Sequence, residues 1–187
     1  MDGGGGGRSG CRIIVGLGIV GFGGGTGLLC RMLRDRGADA YVCDKYAPPL
    51  YAPGFAVDLE KFPPGSLAIL SAIEVFEHFA KPAEQAGRLF ALRPKVLVVG
   101  TMPYSGEGKD WHYLAPAWGQ HVFFYSDAAM AMLASRHGYF CRRFGMFHIF
   151  TQAPIAAARR IALEILLSGV GKWAGDIWIA ARTSPSY

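Results

Sequence analysis

A run of glycines between an apolar stretch and a helix-like segment is the part of this sequence best suited to binding a ligand. The run is Gly21-Phe22-Gly23-Gly24-Gly25-Thr26-Gly27, and it separates the apolar residues 13–20 from the segment 28–36. Glycines let the main chain approach a ligand without a Cβ clash, and the first turn of a helix offers unpaired N–H groups. Asp44 ends a second apolar run, where its carboxylate could accept hydrogen bonds from ribose hydroxyls. This spacing predicts a site for a nucleotide-type cofactor.

The elements that must position this site alternate along the chain. Apolar runs and their punctuation predict strands and helices in turn, which is typical of a parallel sheet with helices on both faces. The predicted strands are 12–20, 40–44, 55–57, 67–71, 96–100, 139–144, 146–151 and 173–181, and the predicted helices are 27–36, 82–91, 128–137 and 154–167. Residues 102–120 lack periodicity and follow a central strand, where active-site lids lie.

Composition narrows the class of protein. The 187 residues are 51% hydrophobic and 18% charged, which predicts a compact globular chain with one domain at 12–187 behind a flexible Gly-rich tail at 1–11. The net charge of +5 is dispersed, so a solvated surface is favoured over nucleic-acid binding. No stretch has the length and apolar character of a membrane span. The four cysteines show no close pairing, which favours a reducing, cytoplasmic location.

A second glycine pattern overlaps the first. Gly16-Leu17-Gly18-Ile19-Val20-Gly21 fits the G-x-G-x-x-G of dinucleotide-binding folds, which leaves an NAD(P)-dependent oxidoreductase as an alternative. That pattern requires the helix to open within it, whereas here three more glycines precede a helix that cannot start before about Thr26. The later glycine run is therefore the favoured cofactor loop.

The residues 19–27 resemble the first motif of class I S-adenosylmethionine-dependent methyltransferases, and further motifs follow in the order of that superfamily. Val57-Asp58-Leu59-Glu60 looks like its adenine-side loop, and Ile73-Glu74-Val75-Phe76-Glu77-His78 resembles the segment after its fourth strand. The runs 111–116 and 119–126 look like a bacterial subfamily of the methyltransferase-23 group. The resemblance spans roughly residues 12–150.

The resemblance implies a three-layer, Rossmann-like class I methyltransferase fold with a mostly parallel seven-stranded sheet. It also implies methyl transfer from S-adenosylmethionine to a small-molecule or sugar-type acceptor, most plausibly at oxygen. A degenerate methyltransferase-like domain that binds cofactor or serves as a scaffold is the alternative. The cofactor-binding residues that it implies are Gly21, Gly23, Gly24, Gly25, Thr26, Gly27, Asp44, Lys45, Asp58, Leu59 and Glu74.

Three features depart from the pattern of the superfamily. Gly21 stands where an acidic residue usually holds the methionine end of the cofactor, so weaker cofactor affinity is expected. Ala68 stands where an aspartate commonly begins the fourth strand. Residues 1–11 are glycine-rich, whereas members of the family usually carry helical residues that cover the site.

Candidates for proton transfer lie in the predicted lid and directly beside it. His121 is the first candidate base because histidine titrates near neutrality, and His112 is a second candidate beside two aromatic residues. Backbone hydrogen bonding and ordinary packing are the alternative roles of these histidines. Metal binding is not the favoured prediction, but Glu74, Glu77 and His78 have the E-x-x-E-H spacing of relatives that use a divalent cation, and His121 could complete such a site.

Overall fold

The computed structural model describes residues 18–117 and 120–156, and within these ranges the chain forms one six-stranded sheet with three α-helices. The sheet order is β2-β1-β3-β4-β6-β5; the pairs among β1 to β4 are parallel, and those of β6 with β4 and β5 are antiparallel. The strands are β1 (Ile19–Phe22), β2 (Ala40–Cys43), β3 (Ile69–Ile73), β4 (Val96–Gly100), β5 (Phe140–Phe144) and β6 (Phe147–Thr151).

The helices begin and end where the local sequence favours it. They are α1 (Leu28–Arg34), α2 (Pro82–Ala91) and α3 (Asp127–His137). Pro82 begins α2, where its missing N–H is not needed. The hydroxyl of Ser126 caps α3 by accepting from the Ala129 amide at 3.2 Å, and Gly138 ends that helix. Short 3₁₀ helices occupy Leu59–Lys61, Phe76–His78 and His112–Leu114.

The core lies on both faces of the sheet. Val20 packs in a cluster with buried residues of α2 and α3, whereas its neighbour Ile19 packs against a cluster that contains Cys30 of α1. Successive residues of a strand point to opposite faces, so α1 covers one face while α2 and α3 cover the other. The predicted three-layer α/β architecture is confirmed.

Six strands of the sheet lie in the part of the chain that the structure describes, whereas seven were predicted for the whole chain. The predicted strand at 55–57 is reduced to a single parallel bridge, in which Val42 donates to the Phe55 carbonyl at 3.0 Å and Val57 donates to the Val42 carbonyl at 2.9 Å. The prolines that precede it cannot donate to a ladder, which restricts pairing to this point. The glycine-rich tail and the predicted strand 173–181 lie outside the described residues, as does nearly all of the predicted helix 154–167.

The carboxyl ends of β1, β2, β3 and β4 meet at one edge of the sheet because these strands run parallel. The glycine run, Asp44, Glu74 and Thr101 follow these four ends in turn. The segment 101–125, called the lid below, continues from β4 at the same edge and leads into α3. No helix among the described residues is both long and apolar enough to cross a membrane.

Candidate active site

The glycine run forms a tight loop between β1 and α1. Gly23 has a φ of +62°, and a Cβ there would lie 2.6 Å from Cγ2 of Val75, so backbone conformation and crowding both require glycine. Gly25 has a φ of +56°, but no described atom lies within 4 Å of the position its Cβ would take. The loop is therefore packed against the protein at Gly23 and faces open space at Gly25.

Asp44 fixes this loop to the end of β2. Its Oδ2 accepts from the Gly25 amide at 2.8 Å, and its Oδ1 accepts from the amides of Tyr46 and Ala47 at 2.7 and 2.8 Å. Burial alone would raise the pKa of the Asp44 carboxyl, but the three amides outweigh it and hold that pKa below its usual value. A carboxylate offers about four acceptor directions, so one remains beyond the three that these amides occupy.

The other residues near β2 that were predicted to bind the cofactor are Lys45, Asp58 and Leu59, and none of them contacts the glycine loop as Asp44 does in the contacts described below. Asp58 caps the 3₁₀ helix that follows it, because its Oδ1 accepts from the Glu60 amide at 3.0 Å. The side chain of Leu59 belongs to the hydrophobic core, which leaves only its main chain for a ligand. The ammonium of Lys45 lies 5.5 Å from the centroid of the exposed Tyr46 ring.

Crowding does not require a glycine at position 21. Gly21 lies in β1 between Val42 and Ser71 of the neighbouring strands, and a Cβ there would meet its nearest described atoms, Ser71 Oγ and the Tyr41 carbonyl oxygen, at 3.7 and 3.9 Å. These are ordinary van der Waals distances. A Cβ can therefore be accommodated at position 21, where the superfamily usually has an acidic residue.

Glu74 lies directly after β3 in a strained conformation. Its φ is +54°, which is unfavourable for a residue with a Cβ. Its amide donates to the Gly100 carbonyl at 2.7 Å, and its Oε2 accepts from the Tyr113 hydroxyl at 3.0 Å. Burial raises the pKa of the Glu74 carboxyl, and the neighbouring charge of Glu77 adds to this, so that the pKa reaches about 7. Strain of this kind is concentrated at functional sites.

Glu77, His78 and His121 come together between β3 and the lid. One ligand-capable atom from each residue lies within 4.8 Å of the others. The Glu77 carboxylate is fully buried, and neither of its oxygens has a hydrogen-bond partner among the described residues. The imidazole rings of His78 and His121 meet edge to face, with centroids 4.9 Å apart. Glu74, the fourth residue suggested by the E-x-x-E-H spacing, is not part of this group.

His112 lies apart from that group, on the exposed side of a 3₁₀ helix of the lid. Two residues that the sequence analysis did not assign to the site, Tyr113 and Thr101, lie beside Glu74. The Tyr113 hydroxyl is buried between Glu74 and Thr101, and the Thr101 Oγ1 lies 3.2 Å from it. The position of Thr101 directly after β4 is the sequence signal that could have found it.

A surface cavity of about 480 Å³ opens beside the lid. Its walls include the exposed apolar side chains of Tyr104, Val122 and Phe123. The amides of Val122 and Phe123 both donate to the Glu77 carbonyl, at 2.8 and 3.2 Å, which connects the cavity wall to the segment after β3. The cavity is lined by Tyr104, Glu107, Gly108, Lys109, Leu114, Val122, Phe123 and Phe124.

Comparisons with known proteins agree with this arrangement. The methyltransferase-23 family model, described as a methyltransferase domain, matches residues 16–142. No curated protein matches the sequence at a significant level.

Solved structures of methyltransferases resemble this one at low sequence identity, so they bear on the fold alone. The magnesium protoporphyrin IX methyltransferase of Synechocystis with bound S-adenosylhomocysteine is 18% identical with a TM-score of 0.51, and the match covers 72% of this chain and 73% of that one. A Thermotoga maritima S-adenosylmethionine-dependent methyltransferase is 13% identical with a TM-score of 0.55, over 73% and 82%. The mitomycin 7-O-methyltransferase is 16% identical with a TM-score of 0.53, over 72% of this chain and only 48% of its own. This chain thus spans about half the length of the mitomycin enzyme.

The sheet order, the glycine loop at the end of β1 and Asp44 at the end of β2 define a Rossmann-like class I methyltransferase fold. Because the family model matches more than half of its length, the chain belongs to the methyltransferase-23 family, whose methyl donor is S-adenosylmethionine. The competing dinucleotide pattern fails on geometry as well, since α1 begins only at Leu28, after the whole glycine run.

Proposed function

We propose that this methyltransferase transfers the methyl group of S-adenosylmethionine to an oxygen atom of a small-molecule or sugar-type acceptor. The observation that carries the proposal is the hydrogen bond of 2.8 Å between the Gly25 amide and Asp44, which holds the loop with open space in front of Gly25. Asp44 accepts from a ribose hydroxyl with its remaining acceptor direction. The main chain around Gly23, Gly24, Gly25, Thr26 and Gly27 encloses the rest of the nucleoside.

Different residues are candidates for binding the adenine end and the methionine end of the cofactor. Asp58, with the Leu59 main chain and the Lys45 side chain, lies after β2 on the adenine side. Gly21, within β1, and Glu74, directly after β3, are the candidates on the methionine side. Glu74 offers Oε1, a buried atom without a hydrogen-bond partner among the described residues, to the cofactor ammonium. A buried acceptor that receives such a partner gains a charge-assisted hydrogen bond.

The acceptor binds in the cavity beside the lid. Aromatic and aliphatic walls at Tyr104, Val122 and Phe123 suit a flat ring or the apolar face of a sugar. The charged Lys109 and Glu107 at its margin supply polar contacts that orient the molecule. A cavity of about 480 Å³ is the size of a small-molecule site and too small for a folded partner.

Methyl transfer to a hydroxyl requires that the acceptor oxygen be positioned against the methyl group and that the hydroxyl lose one proton. The acceptor oxygen forms a bond to the methyl carbon while the carbon–sulfur bond breaks, and S-adenosylhomocysteine leaves with the electron pair on sulfur. We assign the released proton to Nε2 of His121, because Nδ1 of that ring already lies 2.6 Å from the Tyr113 carbonyl. His112 is the second candidate, in the exposed part of the lid.

Transfer of isotopically labelled methyl groups to a panel of phenols, sugars and amines tests the proposal. Labelled product from a hydroxyl acceptor, reduced at least about 100-fold in His121→Gln, is the expected result. His137→Gln is the control, since His137 stacks on Phe90 at the end of α3, and it should retain activity. Methylation at nitrogen alone would overturn the assignment to oxygen. Cofactor binding without transfer to any acceptor would favour a binding or scaffold domain.

A further inference from the structure

We infer that the segment 155–167 of this chain packs as an amphipathic helix on a part of the sheet that the described helices leave uncovered. This part, called the α1-side face below, is the side of β3, β4, β6 and β5 that points the same way as α1. The pairing of the strands places on it the apolar residues Ile69, Val96, Val98, Phe147, Ile149 and Phe144. The inference does not depend on which acceptor is methylated.

The described helices do not cover the α1-side face. Ile19 of β1 packs in the cluster around Cys30 of α1, but that cluster contains no residue of β3, β4, β5 or β6. Helices α2 and α3 pack on the opposite side of the sheet with Leu97, Val99 and Phe150, which alternate along their strands with the residues of the α1-side face. Among the described residues, α1 therefore covers β1 and β2 and leaves the other four strands without a helix on this side.

The burial of Ile149 indicates that a further layer packs on this face. Ile149 is only 4% exposed, although it belongs neither to the cluster of Val20 nor to that of Cys30. Its cross-strand neighbours on this face are Val98 and Arg142. Side chains stand roughly perpendicular to a sheet, so neighbours in the same sheet shield the flanks of a side chain but not its outer end. Burial this deep requires atoms above the sheet.

The chain leaves β6 at a point from which its next segment can reach this face. Thr151, the last residue of β6, pairs with Val96 at the amino end of β4 and with Phe140 at the start of β5. The segment 155–167 as a helix would be about 20 Å long. Strands β4 and β6 have five residues each, which corresponds to about 17 Å. The helix can therefore span the face from the edge at Thr151 to the edge at which the cofactor site lies.

The segment has the apolar stripe that this packing requires. Its apolar residues recur at spacings of three and four, which places them on one side of a helix. The residues of this stripe are Ile155, Ala158, Ile161, Ala162 and Ile165. Arg159, Arg160 and Glu164 fall away from the stripe, where water can reach them.

The other end of the chain is a poorer cover for this face. Residues 1–11 offer only Met1 and Cys11 as apolar side chains, so they have little to bury. Residues 12–17 precede β1, which is not adjacent to β4, β5 or β6 in the sheet. The segment after β6 is favoured on both counts.

Thiol labelling in the full chain tests the inference. Val98→Cys places a thiol at the centre of the α1-side face, and Ala83→Cys places one at an exposed position of α2. Iodoacetamide should modify the thiol at position 98 at least about 100-fold more slowly than the thiol at position 83, because a covered thiol reacts only when its cover opens. Peptide mass mapping separates both from the native cysteines.

Matched variants identify the covering segment in the Val98→Cys chain. Ile165 lies on the apolar stripe, whereas Leu163 falls on the charged side of the same helix. A carboxylate on the stripe would be buried without a partner, so Ile165→Asp should speed labelling at position 98 at least about tenfold, and Leu163→Asp less than about threefold. Cys30, buried under α1, reports folding and should stay unreactive in both variants. Ile165→Ala, a milder change on the stripe, should also speed labelling and applies the same test if the aspartate variant does not fold.

Three results would overturn the inference. The first is rapid labelling at position 98 in the chain that carries Val98→Cys alone, since the face would then be uncovered. The second is protection that disappears on dilution over an about 100-fold range of protein concentration, since a second copy would then be the cover. The third is protection that persists in both Ile165→Asp and Ile165→Ala, since another part of the chain would then lie on this face.

Discussion

The main-chain amide of Gly25 and the carboxylate of Asp44 form a hydrogen bond of 2.8 Å between the ends of β1 and β2. This bond makes Asp44 part of the loop as well as a candidate ligand for ribose. A substitution at Asp44 therefore affects cofactor binding in two ways. It removes the proposed hydrogen bond to the ribose, and it also removes the hydrogen bond to Gly25 that holds the glycine loop in place.

Asp44→Asn should weaken the binding of S-adenosylhomocysteine at least about tenfold. An asparagine has one oxygen and could still accept from the Tyr46 amide, but its NH₂ group cannot accept from Gly25. A hydrogen bond to a charged group contributes about 1.5–3 kcal/mol, and 1.4 kcal/mol corresponds to a factor of ten in affinity. Calorimetric titration measures the change, and unaltered affinity would remove Asp44 from the site. Asp35→Asn, at an exposed aspartate that pairs with Arg31 at the end of α1, is the matched control for the loss of a carboxylate.

Gly25→Trp should abolish detectable cofactor binding and still fold. Space for the side chain is open at Gly25, so the cost to folding is the positive φ, about 1–2 kcal/mol. Gly65→Trp is the matched control, because Gly65 has a φ of +83° and equally open space, but it lies beside α2 at the other end of β3. The two variants should lose similar unfolding free energy in urea, whereas only Gly25→Trp should lose S-adenosylhomocysteine. Equal cofactor affinity in both would contradict the position of the site.

Gly21→Asp should bind S-adenosylhomocysteine more tightly than the unaltered chain. The distances of 3.7 and 3.9 Å leave room for a Cβ at this position, and a carboxylate carried on it could accept from the ammonium of the cofactor. An increase in affinity of about tenfold is expected from one charge-assisted hydrogen bond. Gly21→Asn has the same shape without the charge and should gain less. Weaker binding of the aspartate variant than of the asparagine variant would show that the ammonium lies elsewhere.

His148 should make the stability of the fold depend on pH below neutrality. Burial lowers the pKa of His148 from its ordinary value of 6.5, and the Asp127 carboxylate, 3.0 Å from its Nε2, offsets this only in part. Above pH 6.5 the ring is neutral in both the folded and the unfolded chain. As the pH falls below that value the unfolded chain takes up the proton first, so unfolding free energy decreases until the folded pKa is passed.

Urea unfolding at about pH 7.5 and about pH 5.5 measures this dependence. His148→Gln should show a smaller loss between the two pH values than the unaltered chain. His148 lies in β6, which pairs with β4, the strand that precedes the lid. An equal loss in both chains would show that another group carries the pH dependence.

Much of the fold could be predicted from the sequence, since the patterns involved are local. The helix predicted at 82–91 has those bounds in the structure, and the strand predicted at 96–100 does too. The glycine run could be placed because the strand before it and the helix after it are both strongly apolar. The strand predicted at 55–57 forms only one bridge, because a short extended pattern in the sequence does not show how far a segment pairs with its neighbour.

The site could be predicted only in part, because its polar contacts join residues far apart in the chain. Spacing suggested Glu74 and Glu77 as equivalent carboxylates, but the Tyr113 hydroxyl engages Glu74 and leaves Glu77 buried without a partner among the described residues. That difference depends on how the lid folds over β3, and no local pattern encodes it. The core position of Leu59 was missed for the same reason.

Calorimetric titration of the purified chain with S-adenosylhomocysteine, beside an identical titration with NAD, tests the central claim most directly. The loop and Asp44 geometry predicts saturable binding of S-adenosylhomocysteine at one site per chain and no binding of NAD. Binding of NAD alone, or of neither compound by the folded chain, would contradict the assignment of this edge of the sheet to the methyl donor.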